Sequence, residues 1–317
     1  MIRIIILLLI SNCCFSQSFE PLPGENGSIA IHKDSSLFID WAENVVINRG
    51  PMYIEDISLG NADFGLESDG IGIADGIVVS LGDGGTAVTT FTNLVLNGPG
   101  YDFAIFENGY TDDYLELAFV EVSSDGLNYF RFDAVSETST DIQKGNADFI
   151  DCRFVNNLAG KYRVNYGTPF DLEELSGIPE LDINAISHIK LIDVVGSINP
   201  LYGSFDSEGT IVNDPYPTPF SSSGFDLDAI GIIHSTLALN ENSFIKSVVY
   251  PNPSTGLFQI DNEFIGLFLV TNIQGKIITE GALLNNLELD LSQFDNGLYY
   301  LNMISKGNKE QIKLYKK

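Results

Sequence analysis

The sequence predicts an all-β protein made of two successive β-sandwiches, and three features carry that expectation. Its apolar runs are short and rich in Val, Ile, Phe and Tyr, Gly, Asn and Asp interrupt them repeatedly, and the acidity stops abruptly near residue 244. Short runs bounded by turn formers are the signature of strands, and many strands joined by turns pack sheet on sheet. A chain of 317 residues, 44% of them hydrophobic, is long enough for two domains with separate cores. From 17 to 241 there are 8 basic and 36 acidic residues, whereas 244–317 holds 7 of each.

Taken in order, Met1-Ile2-Arg3 is a short cationic start, residues 4–10 are unbroken apolar, and Cys14-Phe15-Ser16 precedes Gln17. That is the pattern of a secretory signal peptide cut between Ser16 and Gln17. Seven apolar residues fall well short of the roughly 20 that span a bilayer as a helix, so no transmembrane anchor is expected in the mature chain. A lipidated cysteine at 13 or 14 is disfavoured, because Asn12 and Cys13 are poor residues to precede one. Cleavage leaves Cys152 as the one thiol, which excludes an internal disulfide and makes a buried small hydrophobe its expected role.

The acidic domain, 17–235, reads as strand after strand. Residues 77–81 run into Gly82-Asp83-Gly84-Gly85, and 87–96 resume; 103–106 precede the polar turn Glu107-Asn108-Gly109. Residues 117–123, the turn Ser124-Asp125-Gly126 and 129–132 form the clearest hairpin. Thr168 as cap, Pro169 at the first position, Asp171 in the first turn and Gly177 as terminator predict a short helix over 170–176. Residues 185–195 and 225–233 are long enough to be central strands, and 236–247 lack any period and read as a linker. In the tail, 257–260, 267–270, 276–279, 287–291, 297–304 and 311–315 are each of strand length, which suits a small immunoglobulin-like sandwich.

The tail begins Tyr250-Pro251-Asn252-Pro253-Ser254-Thr255-Gly256. It continues with a turn from Asn272 through Gly275 to Lys276, then Asn296-Gly297-Leu298-Tyr299-Tyr300-Leu301, and ends on a basic strand containing Lys313. With these elements residues 248–317 resemble the type A C-terminal sorting domain of the type IX secretion system of Bacteroidetes-type bacteria. The resemblance implies export by that machinery as partner, removal of the tail at the surface, and a mature protein that is attached to lipopolysaccharide or released. More faintly, Tyr101 to Asn108, Glu116 to Gly126, Tyr166 to Leu172 and Gly224 to Gly231 resemble an uncharacterised family of bacterial cell-surface proteins. The Val-Glu-Val-Ser-Ser-Asp-Gly hairpin also resembles galactose-binding-like jelly rolls, so the acidic domain is expected to be a jelly-roll or galactose-binding-like sandwich.

A surface this acidic repels nucleic acid and anionic headgroups. Two readings of the acidity stand side by side: solubility outside the cell, and calcium, a hard cation that takes carboxylate oxygens. Asp206, Glu208, Asn213 and Asp214 fall in one loop, and Asp226 and Asp228 lie two apart on the next strand, hence on one face. Asp206, Glu208, Asp214, Asp226 and Asp228 are the candidate calcium ligands, although their spacing fails the EF-hand template. Asp69, Asp75 and Asp83 form a second group; Asp102, Glu107, Asp112 and Asp113 form a third. Turn chemistry explains many such residues without a metal.

Enzyme signals are thin. The histidines at 32, 188 and 234 are scattered, with no paired-histidine metalloprotease motif and no nucleophile elbow. Glu180-Leu181-Asp182-Ile183 resembles the start of the catalytic strand of laminarinase-type glycosidases, but Ala185 stands where the acid should return. No catalytic residue is therefore assigned. Trp41, Tyr53, Tyr101, Tyr110, Tyr114, Tyr202 and Tyr216 lie in loop-like stretches, and exposed rings stack on sugar faces. Asp102, Glu107, Tyr110 and Tyr202 are the candidate ligand-binding set. The expectation is a non-catalytic, calcium-dependent module for carbohydrate or surface polymer. A carboxylate-dependent glycan hydrolase and a structural coat or adhesion protein are the alternatives.

Overall fold

A computed structural model describes residues 19–236, 247–261, 266–283, 287–305 and 308–317. The expected leader, its cleavage site at Ser16 and Gln17, and residues 237–246 of the expected linker lie outside them. The chain divides into two compact units at 237/238.

In the first unit the strands are β1 (Ile31–His32), β2 (Asp40–Trp41), β3 (Asn44–Asn48), β4 (Val79–Ser80), β5 (Thr86–Val95), β6 (Phe103–Glu107) and β7 (Ala118–Ser123). They continue with β8 (Phe130–Arg131), β9 (Val135–Ser136), β10 (Val155–Asn156), β11 (Tyr166–Phe170), β12 (Ile186–Asp193) and β13 (Asp226–Ile232). One sheet has the order β1-β11-β6-β13-β2, with β4 also on β13; the other has β3-β5-β12-β7-β8; β9 and β10 pair separately. Phe103, Ile105, Leu227 and Ile230 of the first sheet share one core with Ala87, Val120, Ile189 and Leu191 of the second. That is the expected sandwich. On its outer side the first sheet carries a smaller cluster in which Trp41 packs on Phe106 with ring centroids 5.6 Å apart, so Trp41 serves packing.

Two local expectations are corrected. The helix over 170–176 is instead the end of β11 followed by a 3₁₀ turn, Leu172–Leu175, which Asp171 caps through its bond from the Glu173 amide. Thr168 and Phe170 pair across the sheet with Ile105 and Phe103, and that non-local pairing outweighs a helical start that scores well locally. In β13 the register slips between Leu227, opposite Glu107, and Ala229, opposite Phe106. Asp228 is the extra residue of this bulge, so spacing of two no longer means one shared environment for Asp226 and Asp228.

The second unit holds β14 (Val248–Tyr250), β15 (Leu257–Asp261), β16 (Gly266–Asn272), β17 (Ile277–Leu283), β18 (Leu287–Asp290), β19 (Gly297–Ser305) and β20 (Asn308–Lys316). They form the sheets β14-β15-β18 and β17-β16-β19-β20 around a core of Phe258, Ile260, Val270, Leu289, Leu301 and Leu314. This small sandwich matches the strands read from the sequence almost one for one. The opening motif has a visible job: Asn252 accepts from the Tyr315 amide at 2.9 Å and donates to the Lys313 carbonyl at 2.7 Å. Ser254 exchanges backbone bonds with Tyr315 and Lys317, so the motif clasps the last strand. Gly256, at φ 139°, passes so close to Ser292 that a Cβ would sit 2.7 Å from its Cα. Gly275 turns at φ 77°, and the Tyr299 hydroxyl donates to the Asp295 carbonyl at 2.6 Å.

Candidate functional site

At one end of the first unit, carboxylates from both sheets converge. Glu107 closes β6 in the first sheet, the chain crosses over residues 108–115, and Glu116 stands two residues before β7 in the second. Asp226 opens β13 beside β6. One carboxylate oxygen from each of Glu107, Glu116 and Asp226 lies within 4.8 Å of the other two. Two glycines allow the approach. A Cβ on Gly109 would stand 2.9 Å from the Glu107 carboxylate, and one on Gly160 would stand 1.8 Å from the Glu116 carbonyl.

The hydrogen bonding of the three is incomplete. Glu107 is 1% exposed; its Oε2 accepts from the Gly109 amide at 2.7 Å, and its Oε1 is buried with no hydrogen-bond partner. Asp226 accepts from the Ser80 hydroxyl. Asp214, also buried, takes the Leu117 amide on one oxygen at 3.1 Å and leaves the other unpartnered. Burial first, then repulsion from Asp226, holds the Glu107 and Glu116 carboxyls well above the ordinary range. Burial likewise pushes Asp226 up to about 7, against the pull of the Ser80 bond and the Arg49 charge. Arg49 itself donates to the carbonyls of Phe64, Ser80 and Gly65.

Above this cluster opens a cleft of about 270 Å³. Glu116 and Asp226 form part of its lining, and Phe64, Tyr110, Tyr114 and Phe220 supply its rings. Tyr110 is 85% exposed and Phe64 and Phe220 are about half exposed, so these aromatic faces meet solvent.

The candidate residues read from the sequence separate in the structure. Asp226, Glu107 and Tyr110 come together here. Asp206 is held in its own loop by the amides of Glu208, Thr210 and Ser136, and Glu208 is exposed. Asp228 accepts from the amides of Asp75 and Gly76 at 3.0 and 3.1 Å, pinning a different loop. Asp206, Glu208, Asp214, Asp226 and Asp228 therefore do not form one ligand set; the bulge and these local bonds divide them. Asp102 is a buried staple for the amides of Gly98 and Leu172 and for His234 Nδ1, all at 2.7 Å. Tyr202 does not line the cleft, nor do Tyr53 and Tyr216, which pack on each other at 5.7 Å. Sequence reasoning gave no role to Glu116, Phe64 or Phe220; the one available signal was a Glu directly before a strongly apolar strand. Cys152 is buried, its thiol pushed up to about 11 by burial, as suits a packing residue.

Comparison with known proteins bears on the other unit. Residues 248–317 match the family model described as a secretion system C-terminal sorting domain. The tail is a type IX secretion sorting domain. The protein is thus a type IX export substrate destined for the cell surface or the medium. No curated protein matches the chain. Among solved structures it is similar to a biofilm-associated protein's BSP domain, at 11% identity and TM-score 0.23, covering 73% of this chain and 48% of that one. It is also similar to β-glucuronidases of Faecalibacterium prausnitzii, at 11%, TM-score 0.20, 88% and 45%, and of Ruminococcus gnavus, at 11%, TM-score 0.18, 86% and 45%. The chain spans less than half the length of each of these structures, and likeness at this level carries no argument. Among the described residues no helix is long and apolar enough to cross a membrane.

Proposed function

We propose that the acidic unit, once delivered by its sorting domain, is a non-catalytic, calcium-dependent binding module for a carbohydrate or surface polymer. The observation that carries this reading is the cleft in which Phe64, Tyr110, Tyr114 and Phe220 surround Glu116 and Asp226. Exposed rings offer flat apolar faces to a pyranose, and carboxylates beside them accept from its hydroxyls or hold an ion that does.

The test is retention of the full-length protein on a panel of bacterial and host polysaccharides by affinity electrophoresis with calcium present. Saturable retardation by at least one glycan is expected, with Tyr110→Ala weakening it about tenfold, the scale of one lost stacking contact of 1–2 kcal/mol. Absence of retardation across the panel overturns the reading. Release of reducing ends from a retained glycan replaces it with the hydrolase.

A further inference from the structure

We infer that Glu107, Glu116 and Asp226 form a binding site for a hard divalent cation, calcium above all, at the floor of the aromatic cleft. The inference deepens the proposed function and rests on it only for the identity of the outer ligand; the ion site stands on its own geometry.

The first support is distance. Calcium holds six to eight oxygens at roughly 2.3–2.6 Å, so any two oxygens on its coordination sphere are at most about 5 Å apart. The three carboxylate oxygens lie within 4.8 Å of one another, as donors around one such ion must. They come from three separate stretches of chain, the end of β6, the residue before Leu117 and the start of β13, which a local turn motif does not explain.

The second support is the orphaned oxygen. Oε1 of Glu107 is buried without a partner while Oε2 takes the Gly109 amide. Leaving a buried carboxylate oxygen unpaired is costly, and native structures rarely do so without an ion, a water or a catalytic role to account for it. Asp214, which keeps one oxygen unpartnered, adds to the negative field at Glu107 and Glu116, and the buried Asp193 adds to it at Glu116. The cation whose charge reaches Asp226, Arg49, has its guanidinium on three backbone carbonyls. Among the described residues no Lys or Arg forms an ion pair with the three carboxylates.

The third support is access. Glu116 and Asp226 line the cleft, so an ion held there has protein carboxylates beneath it and open coordination positions toward the cleft. Oxygen donors of a bound ligand, such as vicinal sugar hydroxyls, are the chemistry that fills such positions.

Terbium, which substitutes for calcium, tests the site directly, because Tyr110 and Tyr114 lie at the cleft and sensitise its emission. Full-length protein is titrated with terbium, then with calcium as competitor. Saturable tyrosine-excited emission displaced by calcium is expected. Glu116→Gln and Asp226→Asn should each weaken binding at least tenfold, and Asp206→Asn and Asp228→Asn should leave it unchanged. Glu107→Gln should abolish the emission while the melting temperature in chelator stays level or rises, because a like charge is removed; this separates loss of a ligand from loss of fold. No saturable emission from the wild type, or wild-type emission from both Glu116→Gln and Glu107→Gln, overturns the site. Polysaccharide retention is then run with calcium and with chelator. Terbium binding without any retention keeps the ion site and removes the glycan reading. Retention unaffected by chelator, with no terbium binding, does the reverse.

Discussion

The two units of this chain treat charge in opposite ways. The acidic unit buries Asp83, Asp102, Glu107, Glu121, Asp193, Asp206, Asp214, Asp226 and Asp228, whereas among the described residues of the sorting domain the buried polar side chains are Ser254 and Asn302. Burying a carboxylate is unfavourable unless hydrogen bonds or an ion compensate it. The sorting domain holds together by an apolar core and a clasp between its ends, and among its described residues no carboxylate is buried. Of the acidic unit's hidden carboxylates, Asp102, Asp193, Asp206 and Asp228 are staples whose oxygens take backbone amides, Glu121 pairs with Arg131 and Lys190, and Glu107 in the convergent set and Asp214 each keep an oxygen without a partner. That difference distinguishes bonded carboxylates from the proposed ion site without any appeal to total charge.

The sharpest way to break the division is to treat one staple and one convergent residue alike. Asp102→Ala strands the amides of Gly98 and Leu172 and the His234 ring, and should cost about 3 kcal/mol, the scale of buried bonds to a charged acceptor. Glu107→Gln should cost nothing in chelator. Chemical denaturation of both variants in chelator checks this, and equal losses would erase the distinction.

Calcium should move only one unit. An ion at 100 times its dissociation constant stabilises the folded form by about 2.7 kcal/mol, which is several degrees for a domain of this size. Differential scanning calorimetry of the full chain with millimolar calcium and with chelator should show the acidic unit's transition rise and the sorting domain's stay in place. A shift in both transitions would mean general ion effects.

Much of this contrast was legible in the sequence, and unevenly so. The tail's strands could be read because each is bounded by turn residues close to it, such as Asn272, whose side chain accepts from the amides of Gln274 and Lys276. The acidic unit's site could not be assembled the same way. Asp226, Glu107 and Tyr110 could be singled out, but Glu107 and Glu116 meet only because the chain crosses from one sheet to the other between them. Asp226 and Asp228 part company because of a bulge, which period-two reasoning cannot see. Asp206 looked like a ligand because Asp in a loop has the same composition whether it binds an ion or, as here, three amides.

The pH response should differ as well. Burial raises Asp193 to about 8, with Asp83 and Asp226 adding repulsion against its bonds from Gly84 and Phe225. It raises Asp83 to about 6, with Glu55 adding to it. An unfolded Asp titrates near 4, so between about pH 4 and 8 the folded unit binds more protons than the unfolded one, and its stability falls as pH rises. The slope is at most about 1.4 kcal/mol per pH unit for each such group. Denaturation in chelator at pH 5 and pH 8 should find the acidic unit less stable at pH 8. Greater stability at pH 8 would show that the staple bonds outweigh burial.

The smallest effect belongs to the clasp. Asn252 bonds the last strand at Tyr315 and Lys313, but on the exposed surface, where water replaces lost partners at little cost. Asn252→Ala should therefore cost the sorting domain at most about 1 kcal/mol and leave the acidic unit's transition where it was. Gly256→Ala is the control within the same motif, because its Cβ would meet backbone at Ser292 rather than water, so it should destabilise more than Asn252→Ala. If both variants melt as wild type, the motif is not a clasp and its residues serve something other than the fold. If Asn252→Ala alone lowers secreted yield without lowering the melting temperature, the asparagine is read by the export machinery as well as by the last strand.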